Sequence, residues 1–212
     1  TNYTKDKTRI MKLSLLFAAS LLSSVAMADP VKVQPIRFLG PDAPTRAYVR
    51  AVLDGMEDKF AEAGIEVDAL RIKTHLNPWK DETNLSNINQ AFRKQEGWSV
   101  RRGYANPYVP TLALTGRAQG LYLYGFANRT VCYGRCNGFA VAAIAETNAA
   151  GETRYPQSVV AATHELGHLL GAQHVNEYPN IMHADAMRYV PTVISNYPWA
   201  QSTVAIMQWR TR

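Results

Sequence analysis

Apolar and polar positions alternate, imperfectly, along Val31–Leu39, which predicts a first β-strand. From Pro44 to Ala63 the period lengthens. Val49, Val52, Leu53, Met56 and Phe60 fall on one helical stripe, with Gly64 as the stop, and the stripe reads as a core-facing surface. Ile65–Thr74 predicts a second strand, followed by a polar connection through Asn77-Pro78. Leu85, Ile88 and Phe92 suggest a short helix before Gly97, and Trp98 to Pro110, punctuated by Asn106-Pro107 and Pro110, predicts a loop. Thr111–Thr115, Leu121–Phe126 and Gly138–Ala145 are three further strand candidates joined by short glycine-containing turns. A second long helix is expected from near Pro156, because proline suits a first helical turn. Residues 175–212 contain Pro191 and Pro198, and a last helix is predicted from Pro198 to Gln208.

With 212 residues, 47% of them hydrophobic, the chain is large enough for one domain with a sizeable core. One apolar run needs separate treatment. Leu13–Val25 follows Met11-Lys12 and ends in Ala26-Met27-Ala28 before Asp29-Pro30, the layout of a secretory signal with an A-x-A exit. The other reading, an uncleaved anchor, suffers from a run too short to span a bilayer. Met11 is then the initiator, with Thr1–Ile10 upstream sequence, and residues 29–212 form the working domain, divided at about residue 174 into an upper part (31–174) and a lower one (175–212). Residues 1–28 carry Lys5, Lys7, Arg9 and Lys12 against Asp6, so they hold +3 of the +6 formal charge. A weakly basic exported domain without a basic aromatic stripe gives no reason to expect nucleic acid. A secreted monomer, extracellular or periplasmic and free of the membrane after signal cleavage, is expected.

Export also bears on the 2 cysteines. Cys132 and Cys136 flank Tyr133-Gly134-Arg135, and in an oxidising compartment a local disulfide is the simplest expectation. Two free thiols, or ligands of a second metal, are the other readings.

The chemistry resides in His164-Glu165-Leu166-Gly167-His168-Leu169-Leu170-Gly171-Ala172-Gln173-His174. On a helix, His164 and His168 stand at i and i+4 and project from one face. Gly171 can take positive φ and turn the chain, and His174 then returns as a third ligand. Three imidazoles around one zinc ion leave a fourth position for water, the arrangement of a catalytic rather than a structural zinc. Glu165, one step round the helix, is placed to act as general base on that water. With this composition the full spacing arises by chance on the order of once in 100,000 chains, which disfavours a helix of ordinary core histidines.

That spacing resembles the signature of the metzincin metallopeptidases. Pro179-Asn180-Ile181-Met182-His183 looks like the family's Met-turn, with Met182 as an apolar floor beneath the imidazoles. The resemblance implies an α+β fold: a twisted, mostly parallel five-stranded sheet with an antiparallel edge strand, two main helices, and a small C-terminal lobe below a zinc cleft. In layout, residues 112–144 are similar to the adamalysin or reprolysin branch. Val175, however, stands where an adamalysin usually has aspartate. Ala184 stands where astacins and serralysins carry a tyrosine ligand, and the extra cysteines of archaemetzincins are missing. The implied activity is a zinc endopeptidase that takes an extended polypeptide along the edge strand, Leu121–Phe126, with a pocket walled by Arg188 to Val193. Tyr189 and Tyr197 are candidate donors to the reaction's oxyanion, the other reading being that they simply pack. The alternative is a secreted zinc-fold binding or toxin-like module with narrow or no general proteolysis, and a zinc enzyme acting on a non-protein amide is a third.

Overall fold

A computed structural model of the protein describes residues 29–40, 43–76, 93–94, 96–103, 109–116, 125–129, 138–148, 150–186, 194 and 197–211. The signal segment, the short helix around Leu85 to Phe92, residues 121–124 of the expected edge strand, Cys132 and Cys136, the Arg188–Val193 wall and Tyr189 lie outside the described residues.

The sheet is built from β1 (Val31–Leu39), β2 (Val67–Ala69), β3 (Lys73–Leu76), β4 (Thr111–Gly116), β5 (Gly125–Arg129) and β6 (Gly138–Ile144). Its order is β2-β1-β4-β6-β5, and β3 pairs with β1 beyond β2. β2 and β3 therefore share one position: Val31–Val33 faces Val67–Ala69, and Ile36–Leu39 faces Lys73–Leu76. This gives five positions, all parallel except β5, which runs antiparallel to β6 at the edge. The expected second strand is thus two short ones. Leu70 still donates its N–H to the Val33 carbonyl. The Gln34 amide then reaches across to the Arg71 carbonyl at 3.1 Å, so a side chain takes over the pairing at the break.

Strict alternation sorts the strands between two apolar layers. Val33, Leu112, Leu114, Ala140, Ala142 and Ile144 face the main core. Ile36, Phe38, Ala113, Phe139 and Val141 face a smaller cluster closed by Trp98. That cluster corrects the expected loop at Trp98: residues 96–101 are helical. The Trp98 ring packs edge-on against Phe38 with centroids 5.7 Å apart, and this burial outweighs the local glycine and proline signals.

The main core is covered by α1 (Arg46–Glu62) and α2 (Tyr155–Leu169). Thr45 caps α1 by accepting the Tyr48 N–H, and the predicted stripe from Val49 to Phe60 is fully buried. Pro156 opens α2, whose residues from Ser158 to Leu169 are all buried. A helix enclosed on every side belongs to the interior, and its polar members are there for chemistry or for ties to neighbouring elements. Ser158 supplies one such tie, its Oγ donating to the Ala145 carbonyl at 3.2 Å and lying 2.9 Å from the Tyr48 hydroxyl of α1. α3 (Gln201–Thr211) starts three residues after the predicted Pro198 and returns to the end of α1, where Gln208 donates to the Ala63 carbonyl. Trp199 likewise donates to the Lys59 carbonyl. Among the described residues no helix is long and apolar enough to cross a membrane.

Candidate metal centre

α2 delivers two imidazoles and its own terminus delivers the third. The helix ends in a double-bonded cap: Gly171 N–H donates to the His168 carbonyl and Ala172 N–H to the Gly167 carbonyl. Gly171 takes φ +97°, a left-handed conformation that side-chain-bearing residues rarely adopt. The chain turns there and brings His174 back over the helix face.

The result is a near-equilateral triangle. His164 Nε2, His168 Nε2 and His174 Nε2 lie 3.1 Å from one another. Tetrahedral zinc with ligands at about 2.0–2.1 Å separates neighbouring donors by about 3.3 Å, so the triangle has the size one ion needs. The remote nitrogens decide what the inner ones present. His164 Nδ1 lies 2.7 Å from the Ile181 carbonyl and His168 Nδ1 lies 2.9 Å from the Ala172 carbonyl. A carbonyl only accepts, so both Nδ1 atoms carry the proton and both Nε2 atoms of the neutral rings present lone pairs. Lone pairs facing one another at 3.1 Å need a cation between them, and backbone carbonyls on the far nitrogens are the usual means of orienting a metal-bound imidazole. Burial, then the neighbouring His168, pushes the His164 pKa down to about 3, which keeps the ring in its ligating form at neutral pH. No other cluster of three metal-ligating side chains occurs among the described residues.

Exposure is graded across the triangle. His164 is 3% exposed and His168 9%, whereas His174 is exposed, so the cluster opens to solvent on the His174 side. Glu165 is buried beside it in sequence, and desolvation holds its carboxyl up at about 8.

Beneath the helix, the Met182 side chain is fully buried and its sulfur lies close against Gly167, between the two helical ligands. The turn that carries it is held from several sides. Met182 N–H donates to Asn180 Oδ1 at 2.9 Å, Val175 N–H to the Met182 carbonyl at 3.0 Å, and Ile181 N–H to the Pro198 carbonyl. Sequence reasoning placed Met182 near the ligands but missed Asn180 and the two carbonyls that fix the imidazoles. An asparagine two residues before the methionine was the one available signal. Of the two readings for Tyr197, oxyanion donor or ordinary packing, the structure shows the second. It is fully buried with its hydroxyl donating to the Ala186 carbonyl at 3.0 Å, so it packs the lower segment rather than facing a substrate. His183 and His75 stay outside the triangle: His183 Nδ1 accepts the Asp185 N–H, and His75 lies against Trp98.

No protein-family model and no curated protein matches the sequence. Solved structures are similar in fold. Metalloproteinase-II from Bacteroides fragilis superposes with TM-score 0.54 at 14% identity, over 89% of this chain and 54% of that one. This chain therefore spans about half the length of that relative. An archaemetzincin from Methanopyrus kandleri gives TM-score 0.56 at 20% identity, over 89% of this chain and 98% of that one. A zinc-dependent peptidase from Methanocorpusculum labreanum gives 0.53 at 12%, over 83% and 99%. The chain has the fold of zinc-dependent peptidases and carries within it a three-histidine zinc site.

Proposed function

We propose that the protein is a secreted zinc endopeptidase of the metzincin type, with Glu165 as its general base. The observation that carries this reading is the triangle of imidazole nitrogens, buried on two sides and open on the third. Zinc bound there supplies Lewis acidity for a scissile carbonyl and brings the pKa of water at its open position from 15.7 to about 7. The positive charge of a bound zinc would draw the Glu165 carboxyl, held up near 8 in the metal-free protein, into its ionised form, in which it takes the proton from the attacking water and delivers it to the leaving amine. The backbone carbonyls of Ile181 and Ala172 keep the two helical imidazoles neutral and aimed throughout. An extended polypeptide runs along β5, the antiparallel edge of the sheet. Similarity in fold to an archaemetzincin and the burial of Met182 under the ligand helix support the metzincin placement. The adamalysin or reprolysin likeness rests on layout alone, since Val175 replaces the aspartate of that branch. Secretion rests on the A-x-A segment at Ala26–Ala28.

The test is a peptide-library digest of residues 29–212 with zinc stoichiometry measured alongside. Chelator-sensitive cleavage with one zinc per chain, lost in Glu165→Gln while the zinc remains, supports the reading. One zinc per chain without cleavage of any peptide sinks it and favours the binding-module alternative.

A further inference from the structure

Gly125 begins β5 and pairs with Ala142 of β6, so it stands at the sheet edge nearest the ligand helix. Its φ is not among the positive ones, and its backbone is ordinary extended strand that alanine adopts freely. Glycine inside a strand normally weakens it, because it loses more chain entropy and packs nothing. A different cause must account for it here, and the neighbouring helix supplies one. A Cβ built on Gly125 would overlap Glu165 at Oε1, Cδ and Cγ together. Three atoms of one side chain occupy the space that any other residue would fill. Two positions along, on the same face of the strand, Ala127 carries its Cβ against the main core without difficulty. The requirement for glycine is therefore local to the carboxylate. Glu165 has little freedom to yield, because α2 is buried around it on every side.

We propose that Gly125 is the positioning residue for Glu165: the missing Cβ forms the recess that holds the carboxylate of the base against the edge strand. The helix sets the direction in which Glu165 leaves the backbone, and the strand sets where its carboxylate stops. A Cβ at 125 meets the Glu165 side chain first and drives the carboxylate out of that recess. The inference rests on Glu165 being the base as far as activity is concerned, but the contact itself can be judged without any substrate.

Unfolding of the metal-free protein, as a double-mutant cycle, reads the contact directly. Gly125→Ala should lower the unfolding midpoint when Glu165 is present. In a Glu165→Ala background, which removes Cγ, Cδ and both oxygens, the same change should be neutral or raise the midpoint, as alanine in an extended strand otherwise does. An equal effect in both backgrounds overturns the proposal. If Gly125→Ala alone fails to fold, recovery of folded protein in the double variant supports the recess, and failure of both overturns it. With a peptide substrate, Gly125→Ala should retain one zinc per chain and lose tenfold or more in kcat with KM nearly unchanged. Full kcat in Gly125→Ala, with Glu165→Gln inactive, removes the positioning role and leaves the base in place. Full activity in Glu165→Gln removes the base instead, and the unfolding cycle still decides whether the recess exists.

Discussion

His164 donates its Nδ1–H to the main-chain carbonyl of Ile181, 2.7 Å away and seventeen positions along the chain. The first ligand is thus aimed by the turn beneath it as well as by its own helix. Met182 follows Ile181 immediately, so the residue that lines the underside of the ligands and the carbonyl that fixes one of them share a single backbone segment.

Asn180 is the residue that holds this segment, because its side-chain oxygen accepts the Met182 N–H in a buried setting. Asn180→Ala leaves that N–H without a partner, at a cost of about 1–3 kcal/mol. Loosening of the Ile181 carbonyl should also weaken zinc binding by about tenfold or more, the usual effect of losing an outer-sphere partner. Chelator competition and urea unfolding measure the two effects. Unchanged zinc affinity in Asn180→Ala would show that the turn does not aim His164.

Gly171 is under two independent constraints. Its φ of +97° disfavours any side chain, and a Cβ there would overlap the Arg210 side chain from α3. The backbone part alone costs about 1–2 kcal/mol. Gly171→Ala should therefore lower the melting temperature in the wild-type background and, by a smaller amount, in Arg210→Ala, where only the backbone strain remains. Equal losses in the two backgrounds would remove Arg210 from the account.

How much of this was legible beforehand depended on how far apart in sequence the participants lie. The stripe from Val49 to Phe60 and the alternation in β1 are local patterns, and every stripe residue is fully buried as expected. The metal ligands sit within eleven consecutive residues of one helix and its cap, so their geometry follows from helical periodicity plus one turn. The elements read wrongly answer to distant partners. The helix at Trp98 exists to cover Phe38 on the far face of the sheet, and the interruption between β2 and β3 is bridged by Gln34 from another strand. Gly125 and Arg210 touch the ligand segment only because the sheet edge and the last helix fold back onto it. No local period records such approaches.

Met182 fills a closed space under α2, with its sulfur against Gly167. Met182→Leu keeps the volume and should cost less than about 1.5 kcal/mol with zinc retained. Met182→Ala opens a cavity and should cost about 2–5 kcal/mol. Denaturant unfolding of the zinc-bound protein distinguishes the two. Equal stabilities would mean that the space collapses freely and the methionine is not packed as described.

Two buried groups give the metal-free protein opposite pH dependences. Glu165 has a folded pKa of about 8 against an ordinary 4.5, so between these values the folded state holds the extra proton and stability falls as pH rises. His164 is depressed from 6.5 to about 3, so in that window the unfolded state holds the extra proton and stability falls as pH drops. From 4.5 to 6.5 the two slopes cancel. Of these two groups, His164 supplies the slope below that range and Glu165 the slope above it. Each approaches about 1.4 kcal/mol per pH unit where one proton separates the two states. From these two groups, chelated wild-type protein should have a plateau near pH 5.5 and lose about 1 kcal/mol between pH 6.5 and 8 as the Glu165 carboxyl ionises in place. Glu165→Gln cannot ionise, so its alkaline limb should flatten and its stability should rise through the former plateau up to pH 6.5. Urea unfolding of both proteins at pH 4, 5.5, 6.5 and 8 reads every segment of the curve. An alkaline limb that persists unchanged in Glu165→Gln would mean that another group titrates there, and that the buried carboxylate is not what the folded protein strains to hold.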